Sequence, residues 1–293
     1  MATATVSVIM VTYRHEDYIQ QAINSVLEQD CTHPFELIIA NDNSPDGTNN
    51  IVVNIINEHP QGRLIKYTRH RFNMGMMNNF IWAVNQGKGK YIALCEGDDY
   101  WTDPNKLQKQ VDFLESNPEH AGCAHQSMVL SRDQDLYPFK ESVPLEITIN
   151  DIIGSRLFHT STLVFNRDVL NVFLNAPTVY SGDRLLFFCI AVTGKFCYFP
   201  KPMGVYRVHG SGASSNSHIN QIILDLNSIR YLKGVYPQFP ATRYASYVYA
   251  TVGLCKNGSL PKRMYYLFLS FLYSFSYFPG NILNMFRYIK RHL

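Results

Sequence analysis

The residues best suited to chemistry are Glu96, Gly97, Asp98 and Asp99, which stand where the apolar run of residues 91–95 (YIALC) stops. Two ionised carboxylates side by side at the end of a buried strand are costly unless a cation or hydrogen-bond donors meet them. Mg²⁺ and Mn²⁺ take one or two protein carboxylates and fill their other positions with water and substrate phosphate, so such a pair suits a nucleoside diphosphate. On these residues alone a second reading stays open, since Gly-Asp-Asp ahead of Asp103 and Pro104 also spells a turn leading into a helix cap.

The elements that must position this tetrad alternate. Residues 6–11 are a short apolar, largely β-branched run, after which Ile19, Ala22, Ile23, Val26 and Leu27 recur at helical spacing. Residues 35–40 form a second buried run ending at Asn41 and Asp42, and Ile51, Val52, Ile55 and Ile56 restart a helical period. Residues 64–67 and 91–95 supply a third and a fourth strand, with Phe80, Ala83 and Val84 on the helix between them. Such alternation implies a parallel sheet whose ligands bind at the strands' carboxyl ends, where Thr12, Tyr13, Asp42 and Asp98 all fall. A helix is expected over residues 107–114, ending near Asn117 and Pro118. The pattern is then mixed, with strands at 127–130, 161–165 and 196–199 around an apolar helix at 185–192. A Gly/Ser-rich stretch at 210–217 reads as a linker or a loop that orders over a ligand, and helices follow, the last at 264–278 and 282–292.

At 293 residues and 46% hydrophobic content the chain has material for one large α/β domain with an appendage, or for two modest domains. Its six cysteines form no CxxC pair, which fits a reducing cytosol, and residues 6–11 are too short for a signal helix. The net charge of +3 hides an asymmetry: after Asp225 there are nine cations and no acid, leaving 17 of the 26 basic residues against all 23 acidic ones in the rest. Because those cations flank long aromatic and apolar runs, an anionic lipid surface suits them better than nucleic acid. The run is too short for a spanning helix, which leaves a packed helical cap or a helix in the membrane plane, with homodimerisation as the rival use of the same surface.

Four segments in order, residues 6–13 (VSVIMVTY), 39–48 (IANDNSPDGT), 73–89 (NMGMMNNFIWAVNQGKG) and 92–107 (IALCEGDDYWTDPNKL), make the chain resemble family 2 glycosyltransferases; residues 182–187 (GDRLLF) and 205–214 (VYRVHGSGAS) fit more loosely. The resemblance implies the GT-A fold: a Rossmann-like, mostly parallel sheet flanked by helices, here with a C-terminal helical extension. It divides the chain into a catalytic domain at 1–215, with a nucleotide-sugar-binding half at 1–105 and an acceptor half at 106–215, and a basic aromatic tail at 216–293. It implies metal-dependent, inverting transfer of a sugar from a UDP-sugar to a glycan or lipid-linked acceptor in surface polysaccharide or lipopolysaccharide assembly, at the inner face of the cell membrane, with residues 256–293 in peripheral contact.

By the same resemblance Asp99 and His209 hold Mg²⁺ or Mn²⁺, and Asp98 binds ribose or water in the metal shell. Asp42 accepts the imide N–H of uracil, Tyr13 stacks on the base, and Thr12, Asn73 and Asn79 line the donor site. Asp183 is the base that takes the acceptor hydroxyl proton. Each has a plainer reading: Asp42 as an Asx turn, Asn73, Asn79 and Asp183 as helix caps, His209 as a solvated loop histidine. A non-catalytic nucleotide-sugar-binding protein is the alternative from another class. Residues 11–16 contain no glycine, which speaks against a nucleotidyltransferase or a dinucleotide-binding dehydrogenase.

Overall fold

The computed structural model describes residues 4–209, 219–255 and 258–274. They fall into two compact units: residues 4–148, 156–174 and 193–209 form the first, and residues 149–155, 175–192 and those from 219 onward the second.

The first unit holds the whole sheet. In chain order it contains β1 (Val6–Thr12), α1 (Ile19–Leu27), β2 (Phe35–Asn41), α2 (Thr48–Glu58), β3 (Ile65–Arg69), α3 (Met76–Gln86), β4 (Tyr91–Leu94), β5 (Tyr100–Trp101), α4 (Lys106–Ser116) and β6 (His120–Leu130). The short strands β7 (Leu136–Pro138), β8 (Glu146–Ile147) and β9 (Val164–Asn166), the short helix α6 (Val169–Phe173) and the long β10 (Lys195–Arg207) complete it. The strand order is β3-β2-β1-β4-β9-β6-β10-β5, with β7 on β6 and β8 on β10. Strands β1 to β4 are mutually parallel, β9 runs against both β4 and β6, and β10 is parallel to β6. β1 is buried on both faces, which is why it reads as an unbroken apolar run. The expected apolar positions of α1 are its buried face. Chain order reverses direction across the sheet between β1 and β4, so their carboxyl ends flank a topological switch point, the place where open α/β sheets bind ligands.

Three expected strands come out differently, the one at 127–130 by beginning as early as His120. Residues 161–165 are a 3₁₀ turn, Thr160–Thr162, followed by β9. Thr162 Oγ1 donates to His159 O (2.7 Å) and Ser161 N to His159 Nδ1 (3.3 Å), and such local side-chain bonds compete with a strand ladder. The strand expected at 196–199 runs on to Arg207 as β10, because register shifts between Phe199 and Pro202 absorb the prolines that interrupt the sequence pattern.

The second unit is helical: α5 (Ile149–Ile152), α7 (Gly182–Thr193, whose last residue joins the first unit), α8 (Ile219–Ile222), α9 (Asn227–Val235), α10 (Ala241–Leu254) and α11 (Leu260–Ser274). Phe188, Phe239 and Tyr244 pack edge to face with centroids 4.9–5.9 Å apart. Buried Asp225 accepts the N–H groups of Tyr180 and Ser181, each at 2.8 Å, and so fixes the chain where α7 begins. The Gly/Ser stretch 210–217, residues 275–278 of the expected penultimate helix and the helix expected at 282–292 lie outside the described residues.

Candidate active site

The site assembles at the carboxyl ends of β1, β2, β4 and β10. Beyond β1, residues 13–16 are laced to the loop after β2: Arg14 N donates to Ser44 Oγ (3.1 Å), His15 N to Thr48 Oγ1 (3.1 Å) and Glu16 N to Asp46 Oδ2 (3.2 Å). Arg14 adopts a left-handed φ of 60°, an uncommon conformation for a residue with a side chain, and its guanidinium lies 5.3 Å from the centre of the exposed Tyr13 ring. Thr12 is buried, and its Oγ1 has no hydrogen-bond partner. Gly97 passes so close that a Cβ on it would lie 2.9 Å from both Thr12 Oγ1 and Ile19 Cδ1, so the turn after β4 demands glycine there.

Asp42 is 3% exposed, and both of its carboxylate oxygens receive backbone donors, Met74 N at 2.7 Å and Gly75 N at 3.0 Å. Asn73 Nδ2 donates to Asp42 O (3.2 Å). Asp42 therefore clamps the loop that launches α3. Each carboxylate oxygen retains a second lone pair for a ligand. Asn79 is buried inside α3 rather than capping it: its Nδ2 donates to Ala40 O (2.9 Å) and its Oδ1 accepts from His70 Nε2 (2.9 Å), tying α3 to β2.

The adjacent acids Asp98 and Asp99 face different surroundings. Asp98 Oδ2 accepts from His209 Nε2 at 2.9 Å and lies 3.5 Å from His15 Nε2, and the three side chains offer ligand atoms all within 4.8 Å of one another. Burial works against the ionised Asp98, but the His209 hydrogen bond and the two imidazoles outweigh it and hold its carboxyl below the usual range. Burial pulls the His15 imidazole down, with Asp98 opposing, which favours the neutral, ligating form.

Asp99, 1% exposed, belongs to a second group with Glu96 and His159. Its Oδ1 accepts Arg207 N (3.0 Å); its Oδ2 accepts Ser161 Oγ and lies 3.1 Å from His159 Nδ1. His159 stacks on Tyr206 with centroids 4.1 Å apart. Burial pushes the Glu96 carboxyl up to about 7, with His159 opposing and Asp99 and Asp98 adding to the rise. Thus His209 meets Asp98, not the Asp99 with which the resemblance pairs it. The reason is local geometry: within the turn after β4, Asp99 turns inward to satisfy the N–H of β10, leaving Asp98 on the open side.

Arg207 braces this turn. Its Nη1 donates to Asp98 O (2.6 Å), its Nη2 to Gln21 Oε1, and its guanidinium lies 5.4 and 4.3 Å from the Tyr18 and Tyr100 ring centres. Asp183 belongs to the second unit, in the first turn of α7, where its Oδ1 accepts Arg184 N (2.8 Å). Sequence reasoning passed over His15, His159 and Arg207. His15 follows a strand's carboxyl end and Arg207 sits two residues before His209, signals that could have drawn attention to both; nothing local marks His159.

Three of the observed groups fit a divalent cation: two imidazoles and an ionised carboxylate converge, and His15 keeps a buried Nδ1 without a hydrogen-bond partner.

Residues 7–164 match the model of glycosyl transferase family 2. An uncharacterized protein of Mycobacterium tuberculosis (strain H37Rv) is 33% identical over 210 residues, 70% of this chain; the chain spans 59% of that relative's length. The Escherichia coli UDP-Glc:alpha-D-GlcNAc-diphosphoundecaprenol beta-1,3-glucosyltransferase WfaP is 27% identical over 213 residues, 72% of this chain and 80% of WfaP. Among solved structures, residues 1–349 of Staphylococcus aureus TarS in complex with UDP-GlcNAc superpose with a TM-score of 0.70 at 18% identity, covering 90% of this chain and 79% of that one. This likeness shows that the fold is the expected GT-A arrangement.

Proposed function

Because the chain belongs to glycosyl transferase family 2, we propose that it moves a sugar, with inversion, from a UDP-sugar to a lipid-linked saccharide during assembly of a cell-surface polysaccharide, at the inner face of an anionic membrane. The observation that carries this reading is the convergence of Asp98, His209 and His15 at the switch point between β1 and β4, one strand from Asp42. WfaP, by its name, uses a UDP-sugar and a diphosphoundecaprenol-linked sugar, which supports the donor and acceptor classes, and the TarS complex holds a UDP-sugar, in keeping with the donor class.

Asp98, His209 and His15 would hold the metal. Mg²⁺ is the more strictly bound to oxygen ligands, so of the two expected ions the pair of imidazoles favours Mn²⁺. When bound, the ion neutralises charge growing on the departing diphosphate. Asp42 accepts the uracil imide N–H on a remaining lone pair, Tyr13 stacks on the base, and Thr12 and Asn73 line the donor. Asn79 acts through α3, whose position it sets. Asp183 takes the acceptor hydroxyl proton while that oxygen bonds to the anomeric carbon and the bond from that carbon to the diphosphate oxygen breaks. Asp99 acts from behind, holding β10 and the turn together.

Calorimetry of UDP with and without Mn²⁺ tests the reading. Tight binding only with Mn²⁺, lost in Asp98→Ala, is expected. UDP affinity that ignores both the ion and the substitution would refute it.

A further inference from the structure

Helix α11 carries large apolar side chains on its open side, while its contact with α10 mixes serines with the Tyr266 and Tyr273 rings that meet Tyr249. Toward α10 it presents serines: Ser246 Oγ donates to Ser270 O and Ser270 Oγ to Ser246 O, each at 2.9 Å, and both side chains are buried, as is Ser274 one turn further on. Leu267 closes on Gly253, where a Cβ would come within 2.7 Å of Leu267 Cγ. The outward side carries Leu260, Met264, Phe268 and Leu272 at four-residue spacing, with Tyr265 beside them, and these five are 66, 56, 57, 47 and 58% exposed, respectively. In water the arrangement should be the reverse, apolar residues inward and serines outward. Glycine and hydrogen-bonded serines at a helix contact, with large apolar side chains outside, are how helices pack where the surroundings are lipid.

Charge chooses the kind of lipid contact. Among the described residues no helix is long and apolar enough to cross a membrane, and a contact in the plane of a bilayer surface needs no spanning length. The chain after Asp225 carries nine cations and no acid, two of them, Lys262 and Arg263, at the start of α11. A second copy meeting this face would set the same cation-rich segment against itself, whereas anionic headgroups complement it.

We propose that the outward face of α11 docks into the headgroup region of an anionic bilayer, with Leu260, Met264, Phe268 and Leu272 entering the acyl boundary. The assignment rests on the membrane placement proposed above and not on the transfer chemistry.

The test is flotation of the full chain with phosphatidylcholine vesicles, with and without phosphatidylglycerol. The chain should float only with phosphatidylglycerol present, and less at high salt. The double variant Met264→Glu/Phe268→Glu, and separately Leu272→Glu, should each lower the bound fraction, the double variant by roughly tenfold or more, with melting temperature unchanged. Two results would overturn the proposal: no flotation of the unaltered chain, or equal flotation of both variants. A monomeric double variant derived from a dimeric parent that ignores vesicles would also overturn it, in favour of a second copy on this face. UDP affinity, measured on the same samples, reports on the transfer chemistry alone.

Discussion

Replacing Asp42 by Asn separates two roles that one carboxylate is asked to fill. The carboxylate is 3% exposed and receives Met74 N at 2.7 Å on one oxygen and Gly75 N at 3.0 Å on the other. Asparagine keeps the shape but has a single acceptor oxygen, so its NH₂ must face one of the two backbone donors. One charge-assisted hydrogen bond is lost and the other becomes neutral; at about 1.5–3 kcal/mol for a charged bond and about 1 for a neutral one, the loss is roughly 2–5 kcal/mol. Both tryptophans, Trp82 and Trp101, lie in the sheet-bearing unit, so urea unfolding followed by tryptophan fluorescence reads that unit alone. Nucleoside diphosphate affinities with Mn²⁺ are then measured on folded protein. The expected result is the stability loss together with a collapsed preference for UDP over other nucleoside diphosphates. A stability change under about 0.5 kcal/mol, the level of an ordinary surface substitution, would refute the loop clamp. A retained UDP preference would remove Asp42 from base recognition whatever the stability.

Asp98→Ala should weaken Mn²⁺ binding, measured by calorimetry, by roughly 10² or more, beyond the 10–100-fold typical of outer-shell losses. Asp99→Asn should instead lower the melting temperature, since the single acceptor oxygen of asparagine cannot serve both Ser161 Oγ and the Arg207 N–H in the interior; the opposite pattern would return the ion to Asp99. Asp183→Asn should keep UDP affinity and lose turnover by about 10² or more, read in a transfer assay, as expected of a general base. Lys106 is fully buried over the Trp101 ring at 3.8 Å, its Nζ lacks a hydrogen-bond partner, and burial pulls its pKa from 10.5 to about 7. Between those values the unfolded chain binds the extra proton, so stability should rise with pH by up to about 1.4 kcal/mol per unit from near pH 7 toward 10. Lys106→Met keeps the packing and should flatten that slope and raise stability at pH 7.5, as denaturant titrations across this range will record.

Much of the fold is legible locally. The periods of residues 6–11, 19–27, 35–40 and 91–95 place strands and helices because burial on one stripe or on both faces leaves a periodic trace in the letters themselves. The order of these elements places Thr12, Asp42 and Asp98 at one sheet edge, since parallel strands put their carboxyl ends together. The serines of α11 left no such trace: residues 264–278 read as uniformly aromatic and apolar, and only the packing against α10 shows which side is covered.

What the sequence by itself determined is the set of chemical groups and the strand ends from which they project. What only the tertiary structure decided is their pairing. Asp98 and Asp99 are neighbours with the same side chain, yet one meets His209, 111 residues away, and the other meets Ser161, 62 residues away. Those meetings depend on β10 and on the turn before β9 closing around β4. Contacts across such separations arise from the balance of chain-closure entropy against whole-core burial, which no local pattern of residues records.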